Sequence, residues 1–98
     1  MRWIEIITLR TGDTDAEALT AEIRATLTRH GSEKGAVNAT LLVSATVRGD
    51  LSIHLHHVTK DARPPEAQLG TRLARGLEDF GLVSRTLWQE ALPEVKGR

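Results

Sequence analysis

The apolar residues of this chain switch between strand-like and helix-like spacing in a fixed order, and that order leaves few folds open. Residues 3–10 (WIEIITLR) are apolar and β-branched and predict a strand. Thr14 followed by Glu17 fits a capping box, after which Ala16, Leu19, Ile23 and Leu27 form one helical stripe that Gly31 closes. Residues 36–47 (AVNATLLVSATV) and 51–58 (LSIHLHHV) predict two further strands, with Arg48-Gly49-Asp50 as the hairpin turn between them. Pro64-Pro65 opens a second helix whose stripe is Leu69, Leu73, Leu77 and Phe80, ended by Gly81. Residues 82–88 (LVSRTLW) are the last strand. Gly70, inside that second helix, costs up to ~1 kcal/mol relative to alanine and therefore marks a close approach to the sheet or the other helix.

The order βαββαβ resembles the split-βαβ, ferredoxin-like plan: an α+β sandwich with two helices on one face of a four-stranded antiparallel sheet, and the other face open. The wider group with this element order includes cofactor-poor oxygenases, stress proteins and ligand-binding regulators, many of them dimeric. The resemblance is one of topology, so no functional residue is carried across. Residues 1–92 are expected to form a single domain, and 93–98 a polar, flexible tail.

At 98 residues there is room for one core, and stability is modest enough that burying a further apolar face by self-association would be a real gain. Thirteen basic residues balance thirteen acidic ones, and the aromatics are only Trp3, Phe80 and Trp88. Neither the charge nor the aromatic content suits a nucleic-acid binder. There is no cysteine, which excludes disulfides, thiol catalysis and thiolate metal sites. Glu5 interrupts the first apolar run, and no run approaches the ~18 residues of a membrane span, so a cytoplasmic protein without membrane attachment is expected.

Strand pairing decides which side chains the open face carries. A loop of Gly49 and Asp50 alone would set Val43 opposite His56 and leave both faces mixed. A loop that also takes Arg48 gathers Val47, Ala45, Val43, Leu41, Leu51, Ile53 and Leu55 on one apolar face, and is preferred. In the first strand Glu5 shares a side with Trp3, Ile7 and Leu9; because a buried unpaired carboxylate is costly, Ile4 and Ile6 are expected to point inward. Trp3, Ile7, Leu9, Leu42 and Trp88 would then form an apolar patch on the open face, and a homodimer through that patch is the leading expectation.

His54 and His56 alternate along one strand and share a face, with His57 on the other. With Glu5 they make a candidate two-histidine, one-carboxylate set for a divalent metal, although no cofactor is required by the sequence. Without metal, His54 or His56 is a candidate general base and Glu5 an acid or orienting group. Trp3, Ser44, Arg10 and Arg85 are candidates for binding a small molecule. The leading functional expectation is a dimeric ligand-binding or interaction module; the second is a small oxygenase-like or metal-dependent enzyme with Glu5, His54 and His56 in a pocket at the dimer interface. Arg48-Gly49-Asp50 and Asn38-Ala39-Thr40 match adhesion and glycosylation tripeptides, but their places in a turn and a strand explain them better. Lys60 to Arg63 reads as a solvated loop.

Overall fold

The computed structural model describes residues 1–12, 16–30, 38–60, 63 and 68–91. Their elements follow the expected order: β1 (Arg2–Arg10), α1 (Ala16–His30), β2 (Asn38–Val43), β3 (Leu51–Val58), α2 (Gln68–Leu77) and β4 (Leu82–Gln89). The strands make one four-stranded sheet in the order β2-β3-β1-β4, and every neighbouring pair is antiparallel. This is the ferredoxin-like arrangement, with both helices on one face and the other face open. The capping residue Thr14, the helix stop at Gly31, the helix start at Pro64-Pro65 and the tail 93–98 lie outside the described residues, as do residues 61 and 62. Among the described residues no helix is long and apolar enough to cross a membrane.

The helical stripes do what their spacing requires. Leu19 and Ile23 of α1 and Leu69, Leu73 and Leu77 of α2 are buried, with Leu27, Ala74 and Phe80 packed at the margin. Beneath them the sheet contributes Ile7 and Leu9 from β1 and Leu51, Ile53 and Leu55 from β3.

The orientation of β1 corrects the expectation from sequence. Trp3, Glu5, Ile7 and Leu9 are the buried set, and Ile4, Ile6 and Thr8 alternate with them on the open side. The β1–β3 register sets Trp3, Glu5, Ile7 and Leu9 opposite His57, Leu55, Ile53 and Leu51, so the two most apolar alternations coincide under the helices. Trp3, Ile7 and Leu9 therefore belong to the core of one chain and cannot form an interface patch. The premise that failed was that Glu5 would be unpaired.

The hairpin keeps the preferred faces but not the preferred loop. Val43 pairs with Leu51, so β2 ends four residues earlier than expected, and residues 44–50 form the connection. Ser44 is the cause: its hydroxyl accepts from the amides of Thr46 and Val47 at 3.2 and 2.9 Å and turns the chain out of the ladder. Gly49 adopts φ 92°, the left-handed region that glycine tolerates best, and its carbonyl accepts from the Thr11 hydroxyl. Every residue of β2 is exposed, so Leu41 and Val43 are on the apolar side of the sheet without being buried there.

Candidate functional site

The polar centre of the molecule lies under α2. Glu5 sits midway along β1, a central strand with a neighbour on each side, and takes one partner from each. His57, opposite Trp3 on β3, approaches along one diagonal, and its Nε2 donates to Glu5 Oε1 at 3.2 Å. Arg85, opposite Ile7 on β4, approaches along the other, and its Nε donates to Glu5 Oε2. The direct partners of Glu5 are Leu55 and Leu87, so the polar groups meet diagonally between apolar side chains, at the spacing where long side chains on adjacent strands reach each other.

Glu5 is 0 % and His57 2 % exposed, whereas the Arg85 side chain is 38 % exposed. The trio therefore runs from the interior to the surface. A carboxylate at such depth requires donors and a counter-charge, and here it has both. Gly70 makes the room: a Cβ at that position would fall on the Glu5 carboxylate. The close approach expected of Gly70 is thus real, and the group that approaches is an ionised side chain. Beside the trio, the Trp3 indole donates to the Thr59 hydroxyl at 2.9 Å, holding the end of β3 against β1.

Chemically, a carboxylate at Glu5 can only accept, so its hydrogen bond with His57 calls for the proton on Nε2. That is the geometry of an oriented imidazole, with the carboxylate holding both tautomer and ring plane. The Arg85 guanidinium spends its Nε–H on Glu5 and has further N–H donors at the surface, suited to an oxyanion.

The residues singled out in the sequence are divided by the sheet. His54 and His56 pair with Ile6 and Ile4 and lie on the open face, opposite to Glu5. The set Glu5, His54 and His56 is therefore not assembled, and among the described residues no group of three or more metal-ligating side chains converges. Arg10 projects from the end of β1 to Asp50 at 3.5 Å, and Ser44 serves the hairpin turn. Glu5 and Arg85 do come together, and the third member, His57, is a residue that the sequence placed on the face away from His54 and His56 without a role. The missed signal was the parity of His57 with Leu51, Ile53 and Leu55, combined with a glycine in the apolar helix above.

No protein-family model matches the chain, and no curated protein sequence does. Solved structures share its fold. A variant of SnoaB, a cofactor-independent oxygenase from Streptomyces nogalater, superposes with TM-score 0.70 at 14% identity, covering 94% of this chain and 95% of that one. An antibiotic biosynthesis monooxygenase superposes with TM-score 0.64 at 14% identity over 93% of this chain and 99% of the other. A dimeric ferredoxin-like protein of unknown function from Thermobifida fusca gives TM-score 0.56 at 11% identity, over 89% and 90%. At these identities the likeness establishes the fold.

Proposed function

We propose that this chain is a small enzyme of the cofactor-independent oxygenase type, acting on an acidic carbon of a small organic molecule at the Glu5–His57–Arg85 centre. The observation that carries the reading is the buried Glu5 carboxylate, aligned with His57 on one side and joined by Arg85 to the surface on the other. The oxygenases and monooxygenases that share the fold support it.

An oxygenase without a cofactor needs a substrate that itself reduces dioxygen, and deprotonating an activated C–H supplies one. His57, held by Glu5, is the base, and Arg85 stabilises the enolate oxygen that appears as the proton leaves. The carbanion transfers its electrons to O2 and a C–O bond forms; protonation gives the hydroperoxide. Loss of the second C–H proton then breaks the O–O bond and releases water. The sum is R–CH2–R′ + O2 → R–CO–R′ + H2O, so the methylene supplies all four electrons. His57 is buried in this conformation and Arg85 is partly exposed, so Arg85 is the group that meets the substrate first.

The test is dioxygen uptake over a panel of ketones with doubly activated methylenes, anthrone first. Uptake should exceed the buffer rate and fall about 10²–10⁴-fold in His57→Ala, the usual span for loss of a general base. Arg85→Lys should retain a fraction of the rate. No uptake across the panel, or a rate unchanged in a folded His57→Ala protein, would overturn the assignment.

A second copy of the chain is the partner we propose for the open face. Trp88 is 59 % exposed there, with Leu42 and Val58 also exposed and Ile4 and Ile6 half-buried between them. An apolar surface of that kind on a small protein usually meets another protein. The Thermobifida fusca protein described as dimeric is in keeping with this pairing. The proposed pairing keeps Leu42 and Trp88 of the patch expected from the sequence and puts Ile4, Ile6 and Val58 in place of Trp3, Ile7 and Leu9. Residence in the cytoplasm belongs to the same proposal.

A further inference from the structure

We infer that His54 and His56 form half of a zinc site on the open face, and that the same pair from a second copy of the chain completes it. The site rests on the pairing of open faces proposed above, and it gives that pairing a metal-dependent part.

Strand geometry brings the two imidazoles together. His54 and His56 are alternate residues of β3, so they leave the same side of the sheet about 6.6–6.8 Å apart, two strand rises. Imidazoles at that spacing can close on one ion between them. Both residues are half-buried, and neither has a hydrogen bond or ion pair among the described residues. Neither ring contributes a buried unpaired atom, so the nitrogens are open to solvent. His57 is the contrast: it lies on the other face, and its ring is held by Glu5. The cross-strand partners on β2 are Thr40 for His54 and Asn38 for His56. Each carries a side-chain oxygen of the kind that accepts the second ring N–H of a metal-bound histidine.

The neighbours select the ion and leave its ligand set unfinished. His54 stands between Thr40 and Ile6, and His56 between Asn38 and Ile4. With no carboxylate beside them, calcium and magnesium lack their preferred oxygens, whereas imidazole nitrogens suit zinc. A structural zinc site has four ligands, and one chain offers two. A flat sheet cannot reach over the ion to supply the others. β3 is one of the two central strands, and both histidines lie near its middle. A two-fold axis through the middle of the face therefore sets pair against pair, and two copies give four nitrogens where one gives two.

The experiment is sedimentation equilibrium of the untagged full chain, with zinc and with EDTA. Zinc at about ten times its dissociation constant should tighten the dimer about tenfold by mass action, with one ion bound per two chains. Cobalt(II) in place of zinc should show the intense visible bands of a tetrahedral nitrogen site. His54→Ala and His56→Ala should each lose the tightening and the bands, while keeping the association seen in EDTA and the melting temperature of the wild type. A dimer equally tight in zinc and in EDTA overturns the site and leaves the pairing of faces standing. One ion bound per chain, or a tightening that survives in both histidine variants, also overturns it, since zinc is then held elsewhere. A chain that is monomeric in both conditions overturns the site and the pairing together.

Discussion

Glu5 shows how one side chain can set the orientation of a whole strand. Its alternation partners Trp3, Ile7 and Leu9 gain burial only if the carboxylate is buried with them, and His57 and Arg85 make that tolerable. Gly70 is the steric half of the arrangement. In an exposed helix Gly→Ala stabilises by up to about 1 kcal/mol, but here the added methyl would occupy the space of the carboxylate. Gly70→Ala is therefore expected to destabilise by about 1–3 kcal/mol, the usual cost of overpacking. In a Glu5→Ala background the same change should be neutral or stabilising. Urea denaturation of the two single variants and the double variant reads the coupling; additive effects would show that Gly70 and Glu5 do not share this space. The exchange was only half legible in the sequence. Gly70 announced a close approach, but strand periodicity cannot say whether a carboxylate will find partners on strands more than fifty residues away, and the sign of the β1 assignment hung on that.

Elements were legible where periodicity is sustained and less so where local side-chain bonds compete with the ladder. The helical stripes Leu19/Ile23 and Leu69/Leu73/Leu77 lie where their spacing puts them. Strand β2 does not run its apolar length, because the Ser44 hydroxyl captures two amides and ends the pairing at Val43. The faces were still right, since ending the pairing at Val43 kept the alternation in phase. The consequence is a short, exposed edge strand with a single neighbour, β3, beside the doubly flanked β1. Local opening of β2 breaks one ladder and uncovers little apolar surface, so its hydrogen-bonded amides should exchange at least about tenfold faster than those of β1, or ~1.4 kcal/mol lower in opening free energy. Native-state hydrogen exchange measures this directly. Equal protection in the two strands would mean that β2 opens only with the whole domain.

At the scale of the whole molecule the sheet separates two regions, an ionic centre beneath the helices and an apolar, histidine-bearing surface on the far side. The topology that creates this division was readable from element order alone, whereas the membership of each side required the register. That difference decides the experiment on self-association. Reading Ile7 as an interface residue would suggest Ile7→Lys as the dimer-breaking change, yet Ile7 is 0 % exposed within one chain, and a lysine there would unfold it. Trp88 is the informative position: it is exposed on β4, pairs with Ile4, and lies on the open face. Trp88→Lys should leave the folding free energy within about 0.5 kcal/mol, as surface changes do. If two sheets pack face to face, the same change should weaken the dimer about 30-fold or more, the loss expected on removing a tryptophan anchor worth at least ~2 kcal/mol. Sedimentation equilibrium on the two proteins, with thermal melts alongside, separates the effects. A dimer that persists in Trp88→Lys would mean that copies associate through another surface, and a wild type that stays monomeric at hundreds of micromolar would overturn the pairing of open faces.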